Sequence, residues 1–323
     1  MAQTMIAGVD LGGTAIKAAL LTMEGDILRK TQVPTPVTEG ADRVIGRMME
    51  TIDQLLAEEG QQRSSLAGIG IGVPGPVDEA TGSVHEAVNL YWKSVPLKQK
   101  LEQLSGLSIS VDNDANTAAL GEMWRGAGQG AKDMVAITLG TGVGGGVIAN
   151  GRIIHGVRGV GGEIGHVTVV PAGGPLCNCG RTGCLETFAS ATAIIREGTQ
   201  VAAEGKSETL AAVLEQNGAL TAKDVFDAAK AGDAAAVKVV DDAAYYLGLG
   251  LSHLANILNP GKIVIGGGVA AAGDFLFERV REEFRRYTFS HAAESCEIVP
   301  AILGNDAGVI GAAWLVHEQQ IGK

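Results

Sequence analysis

Ile6-Ala7-Gly8-Val9-Asp10-Leu11-Gly12-Gly13-Thr14 and Val135-Ala136-Ile137-Thr138-Leu139-Gly140-Thr141-Gly142 are two versions of one pattern. Each is an apolar run that reaches a Leu-Gly turn and then re-enters an apolar run, at residues 16–21 in one case and 146–149 in the other. A hairpin-type turn follows each, Glu24-Gly25-Asp26 and Asn150-Gly151-Arg152. Two β-meanders about one domain apart predict two related α/β halves. A length of 323 residues suits two domains at roughly 150 residues each.

The intervening chain reads as helices and buried strands. Val44, Ile45, Met48, Met49, Ile52, Leu55 and Leu56 share one helical face over 41–59. Residues 66–73 form a strand stopped by Pro74-Gly75-Pro76, and 108–111 a short strand with Asp112-Asn113-Asp114 at its exit. Helix is expected from 115 to 124. Farther on, 233–257 reads as a long amphipathic helix, 262–265 as a strand ending in Gly266-Gly267-Gly268, and 272–287 as helix. Asn305 reads as the N-cap of a final helix over 306–318. No low-complexity or linker segment interrupts these elements.

Composition narrows the function classes. The net charge of −11 and an aromatic content of 4% argue against nucleic acid or an anionic membrane surface as partner. No basic and apolar leader precedes Ile6, and the uncharged stretch 134–151 is broken by threonines, Asn150 and glycines. The expectation is a soluble, cytoplasmic protein with no membrane span. Glycine, at 47 residues, is about twice as frequent as the usual share of roughly 7% and follows no period of three. That pattern indicates loops lined by bare backbone.

Those loops carry the first chemical signal. No Walker loop is present, since Gln200 stands where the first glycine before Gly205-Lys206-Ser207 should be. Gly70-Gly72-Gly75 and Gly140-Gly142-Gly145 match G-x-G-x-x-G outside the Rossmann context, one meeting prolines and the other continuing as strand. The paired turns, with Thr14 and Thr141 beside unobstructed N–H donors and Gly266-Gly267-Gly268 at a third strand end, suit a phosphate chain. Asp10 at the first turn can organise Mg²⁺. In Asp112-Asn113-Asp114 a carboxylate can take a proton from a substrate hydroxyl, and one of the three is expected to cap the helix that follows. His166, Cys177, Cys179 and Cys184 match the Cys₃His set of a closed structural zinc site, which would hold Glu163 and Glu186 toward a polyol. The remaining histidines, His85, His155, His253, His291 and His317, show no ligand spacing and read as surface or packing residues. Cys296 reads as a small apolar filler.

Taken together, Asp10-Leu11-Gly12-Gly13-Thr14, the 139–146 loop, Glu163-x-Gly165-His166, Cys177-x-Cys179-Gly180-x-x-Gly183-Cys184-x-Glu186 and Gly304-Asn305-Asp306-Ala307-Gly308 resemble the ROK family of sugar kinases and repressors over essentially the whole chain. Within that family the chain is most similar to the bacterial glucokinases. The resemblance implies an α/β, actin-like ATPase (ribonuclease H-like) fold of two α/β domains with an interdomain cleft. The first domain would be discontinuous (1–120 plus 305–323) and the second would span 121–304 with the zinc-binding loop. It also implies transfer of the ATP γ-phosphoryl group to the 6-hydroxyl of glucose, with Mg²⁺.

Residue by residue, the resemblance makes Asp114 the general base. Gly75, Asn89, Asn113, Asp114, Glu163, His166 and Glu186 would bind the sugar. Asp10, Gly12, Gly13, Thr14, Lys17, Gly140, Thr141 and Gly142 would bind the nucleotide phosphates, with Gly266, Gly267 and Gly268 flanking the adenosine. A homodimer is the assembly it suggests. Two rivals share the motifs: a kinase for fructose, N-acetylmannosamine or allose, and a sugar-responsive repressor. The repressor would need a helix-turn-helix domain ahead of Asp10, for which nine residues leave no room.

Overall fold

The structure, a computed structural model, describes residues 4–321; the outermost residues of the sequence reading, 1–3 and 322–323, lie outside the described residues. The chain forms two compact units. The first comprises Met1–Lys132, Gly146–Gly162 and Ile302–Lys323, the second Asp133–Gly145 and Glu163–Ala301.

The first unit opens with β1 (Met5–Leu11), β2 (Ala15–Thr22) and β3 (Ile27–Pro34), the meander expected from the sequence. It continues through α1 (Ala41–Glu58), β4 (Leu66–Val73), β5 (Val84–Ala87), β6 (Trp92–Val95), α2 (Leu97–Ser105), β7 (Ile109–Asn113) and α3 (Asp114–Arg125). Its sheet runs β3-β2-β1-β4-β7, antiparallel across β1–β3 and parallel across β1, β4 and β7. The period of two along β1 decides what covers each face. Met5, Ala7, Val9 and Leu11 join the core that includes α1, whose buried residues are the apolar stripe read from the sequence. Ile6 points the other way, into a cluster with Val309, Ile310, Ala313 and Val316.

The second sheet starts with β8 (Met134–Leu139) and β9 (Val143–Ala149), which belong to the second unit up to Gly145; from Gly146 on, the end of β9 and β10 (Arg152–Ile153) belong to the first unit. After these come α4 (Glu186–Ala189), α5 (Ala191–Ala203), α6 (Glu208–Asn217), α7 (Ala222–Lys230), α8 (Ala234–Leu258), β11 (Lys262–Gly266), α9 (Asp274–Tyr287), α10 (Ser290–Ser295) and β12 (Glu297–Pro300). The sheet order is β10-β9-β8-β11-β12, parallel across β8, β11 and β12. The helices start where side chains supply the missing acceptors. Asp233 caps α8 through Ala236 N at 2.9 Å, Ser190 caps α5, and Thr221 with Asp224 forms a capping box on α7.

The last helix, α11 (Ala307–Ile321), returns to the first unit. Asn305 does not cap it: a 3₁₀ turn over Gly304–Asp306 precedes the helix and contains Asn305, while Asp306 pairs with Lys30 at 2.7 Å. The seating of α11 explains several glycines. A Cβ at Gly8 would overlap the Val309 carbonyl, one at Gly70 the Ala312 carbonyl, and one at Gly311 the Thr117 carbonyl. The helix therefore lies on bare strand backbone, and the G-x-G of β4 is a packing surface. Gly70→Ala is expected to cost about 3 kcal/mol through overpacking, read as a lower denaturant midpoint. Gly46→Ala, in the interior of α1 with only Arg43 Nη1 at 3.8 Å, should instead stabilise by about 0.5–1 kcal/mol.

No helix among the described residues is long and apolar enough to cross a membrane.

Candidate active site and metal centre

In the first unit the β1–β2 turn is closed by Gly12 N donating to Ala15 O at 2.9 Å. Thr35, which carries no sequence signal, braces it from just beyond the end of β3: its hydroxyl donates to Gly12 O at 2.7 Å and its N–H to Thr14 O at 3.1 Å. A Cβ on Gly13 would lie 2.9 Å from the Asn89 side chain and carbonyl, so glycine lets Asn89 approach the turn. Asp10 and Lys17 are cross-strand partners, and Lys17 Nζ lies 3.0 Å from Asp10 Oδ2. Gly308, in the first turn of α11, sits where a Cβ would be 2.8 Å from the Asp10 carboxylate carbon.

Asn113 ends β7 and caps α3. Its Oδ1 accepts from Ala115 N at 2.9 Å and Asn116 N at 3.3 Å, and its Nδ2 donates to Gly75 O at 3.1 Å. Asn113 is thus the capping member of the 112–114 trio. One Nδ2 hydrogen is left for a ligand. Asp114 is the first residue of α3, where the helix dipole favours negative charge. Burial nevertheless pushes its carboxyl up to about 6, with the charge of Asp10 adding to the effect against the N–H of Ala115. A carboxylate poised there holds a proton weakly enough to be ionised at neutral pH and strongly enough to accept one.

In the second unit the 140–142 turn is closed by Gly140 N donating to Gly142 O at 3.0 Å. Ala191 N donates to Gly140 O at 2.8 Å and the Thr192 hydroxyl to Thr141 O at 2.8 Å. Glu186 Oε2 accepts from Val143 N at 3.1 Å, and a Cβ on Gly142 would overlap that same oxygen. The turn at Gly267, φ +88, packs so tightly on Leu139 that no side chain fits, while Gly268 faces open space. The structure therefore brings the 140–142 and 266–268 turns together at the adjoining ends of β8 and β11. The 3₁₀ turn Ile164–His166 backs onto β9, where a Cβ on Gly165 would overlap the Val143 carbonyl. Glu163 and Glu186 thus flank one loop, with Glu163 Oε2 3.8 Å from His166 Nε2.

The ligand atoms of His166, Cys177, Cys179 and Cys184 all lie within 4.8 Å of one another. Cys177 Sγ is 3.6 Å from His166 Nδ1, and Cys179 Sγ is 3.7 Å from Cys184 Sγ. Tetrahedral zinc, with Zn–S about 2.3 Å and Zn–N about 2.0–2.1 Å, separates sulfur from sulfur by roughly 3.8 Å and sulfur from nitrogen by roughly 3.6 Å. The donor set fits zinc in both chemistry and spacing. The knuckle is made by Gly180 N donating to Cys177 O at 2.9 Å and Cys177 N to Arg181 O at 2.7 Å. Backbone N–H at Arg181 holds the Cys179 thiol below its ordinary range, whereas burial pushes Cys184 up to about 12. Cys177 Sγ also lies 3.7 Å from Glu186 Oε1, which links the knuckle to the acid.

One histidine differs from its sequence reading. His155 is no bland packing residue: its Nε2 lies 2.8 Å from Oδ2 of the buried Asp112. A partner 43 positions away leaves no spacing signal to read. Cys296 fits its reading as filler, half-buried with its thiol pushed up to about 11 by burial.

The sequence model of the ROK family matches residues 6–319. The chain belongs to the ROK family. A ROK relative from Halalkalibacterium halodurans, described as a glucokinase, is 52% identical over 99% of this chain and 97% of its own length. Among solved structures, a ROK hexokinase from Thermus thermophilus superposes with a TM-score of 0.84 at 36% identity, covering 99% of this chain and 100% of that one. A ROK glucokinase from Streptomyces griseus, solved with glucose and AMPPNP, gives 0.77 at 38% identity, covering 97% and 99%. The α/β fold of this ROK chain is accordingly the actin-like ATPase fold.

Proposed function

We propose that this chain is an ATP-dependent glucose kinase, which transfers the γ-phosphoryl group of ATP to the 6-hydroxyl of glucose. The observation that carries the reading is Asp114: a carboxylate at the start of α3, held by burial at a proton affinity near 6, beside an Asn113 with one free amide hydrogen. Full-length likeness to proteins described as glucokinases supports the substrate. Asp114 takes the proton from the 6-hydroxyl as that oxygen attacks the γ-phosphorus and the bond to the β-phosphate oxygen breaks, so the products are ADP and glucose 6-phosphate.

Asn113, Asn89, Gly75, Glu163, His166 and Glu186 hold the other sugar hydroxyls. Carboxylates and amides match a neutral polyol without an aromatic pocket. Gly12, Gly13, Thr14, Lys17, Gly140, Thr141 and Gly142 hold the phosphates, and Gly266, Gly267 and Gly268 flank the adenosine. Asp10 would organise Mg²⁺, which would supply charge neutralisation on the phosphates. His166 would serve two roles in this reading: its Nδ1, beside Cys177 Sγ, would be the zinc ligand, and its Nε2 is on the Glu163 side. His166, Cys177, Cys179 and Cys184 would hold zinc in a structural role, because four protein ligands would leave it no open position. Thiolate ligands call for a reducing compartment, so the reading assigns the cytoplasm, and it takes the protein as a homodimer.

The test is kcat/KM with ATP across glucose, fructose, N-acetylmannosamine and allose. Glucose is expected to lead, and a higher value for another hexose would transfer the assignment to that sugar. The glucose profile against pH should also lose about tenfold in kcat/KM per pH unit below about 6, because the base is then protonated. A profile flat to pH 5 would remove Asp114 as base.

A further inference from the structure

Asp112 is almost wholly enclosed, with a side chain 3% exposed. Its Oδ1 accepts from Asn113 N at 2.7 Å and from Asn116 Nδ2 at 2.9 Å, and its Oδ2 meets His155 Nε2 at 2.8 Å. These contacts tie one carboxylate to the last residue of β7 and the first turn of α3, the two segments that carry Asn113 and Asp114. His155 is the partner that can bring the opposite charge. Its hydrogen bond to Asp112 raises its proton affinity against the effect of burial, with Glu79, 3.6 Å from Nδ1, and Glu318 of α11 acting in the same direction. A buried carboxylate is tolerated when a cation and hydrogen bonds satisfy it, and removing only the cation leaves the charge stranded.

His155 also sits in a closed turn. Gly161 N donates to His155 O at 2.7 Å, a Cβ on Gly161 would overlap the Ile154 carbonyl, and one on Gly159 would overlap the Val77 carbonyl. The turn is seated on the body of the first unit and ends two residues before Glu163.

We propose that His155 is a positioning residue for the phosphoryl transfer: paired with Asp112, it fixes both the segment that presents Asp114 and the turn that leads into Glu163. The inference rests on Asp114 being the base. Reactivity falls steeply when a reacting group is displaced by even an ångström.

The test is a mutant set assayed for kcat, both KM values and the pH profile. His155→Ala is expected to lower kcat about 10- to 100-fold with the KM for ATP changed by no more than about twofold. It should also move the acid limb of kcat/KM to higher pH, because the unbalanced charge of Asp112 joins that of Asp10 in opposing ionisation of Asp114. His155→Gln keeps a donor to Asp112 without the charge. It should recover kcat to within about threefold but leave the acid limb displaced. In an Asp112→Asn background, which no longer needs a cation, adding His155→Ala should cost nothing further.

A His155→Ala enzyme with a lowered Tm but unchanged kcat and acid limb would overturn the proposal, and so would additive effects of the two substitutions. Should His155→Ala fail to fold, His155→Gln alone and in the Asp112→Asn background decides the matter: an acid limb that does not move with His155→Gln, or a displacement that adds to the effect of Asp112→Asn, overturns the proposal. The two readings fail separately. An active Asp114→Asn enzyme refutes the base, whereas a fully active His155→Ala beside an inactive Asp114→Asn refutes only the positioning role.

Discussion

Asp114→Asn is expected to lower kcat by about 10²- to 10⁴-fold, to leave the KM for glucose within a few-fold, and to make the protein more stable at neutral pH. The kinetic half follows from removing the proton acceptor while keeping an isosteric side chain whose oxygen can still accept from Ala115 N, as Asp114 Oδ1 does at 2.8 Å. The stability half follows from the sign of the shift. The carboxyl sits near 6 in the fold against an ordinary value of 3.8, so the fold disfavours the ionised form. Below about pH 4 the group is protonated in both folded and unfolded chains and costs nothing. Between about 4 and 6 the unfolded chain ionises first, and wild-type stability falls. Above about 6 the loss is complete, at about 2–3 kcal/mol. Asparagine has no such penalty. The variant should therefore show a higher Tm at pH 7.5, and the advantage should vanish near pH 4, as calorimetry at the two pH values would reveal. An inactive variant with no pH-dependent gain would mean that Asp114 is not held as a strained carboxylate.

The parts of this molecule that were legible in the sequence are those where one residue type has one physical use. Three thiols and an imidazole separated by glycine knuckles admit few arrangements, and the cluster closes as read. The paired Leu-Gly turns marked strand ends correctly because an apolar run must stop where the backbone reverses. The apolar stripe of α1 was readable from its period, since each residue in it meets the core. What stayed hidden depends on the third dimension. Asn305 carries the chemistry of an N-cap, yet the chain enters α11 through a 3₁₀ turn that places Asp306 on Lys30. The glycines of β4 look like a phosphate motif and serve instead as a packing floor, Gly70 for α11 and Gly72 for Thr117 of α3. Residues 191–230 left no expectation, although α5, α6 and α7 lie there, because short surface helices with polar faces owe their order to caps such as Ser190 and Thr221. His155 and Asp112 meet only through the return of Gly146–Gly162 to the first unit, an event no local spacing encodes.

Cys179→Ser should release the metal and raise the KM for glucose by about 10- to 100-fold, with a smaller change in the KM for ATP. Cys179 is the informative choice because it is exposed while Cys177 and Cys184 are buried. A serine there removes a thiolate ligand without opening a cavity, so the change reports on the metal. The route to the sugar is short. Without a cation to draw it together, the knuckle loses its hold on His166, whose Nε2 side carries Glu163, and on Cys177, which lies against Glu186 Oε1 at 3.7 Å. Glu186 keeps its contact to Val143 N through the other oxygen, so the 140–143 turn retains a brace and the phosphates should be bound less altered. Elemental analysis should find about one zinc per chain in the wild-type protein and little in the variant, and the Tm should drop with the metal, since ligation energy stabilises only the folded loop. Zinc added back should restore neither property in the variant, because a hydroxyl does not ionise to ligate as a thiol does. Wild-type protein that carries no zinc, or a Cys179→Ser enzyme with unchanged affinity for glucose, would separate the knuckle from sugar binding and leave Glu163 and Glu186 to be positioned by the backbone alone.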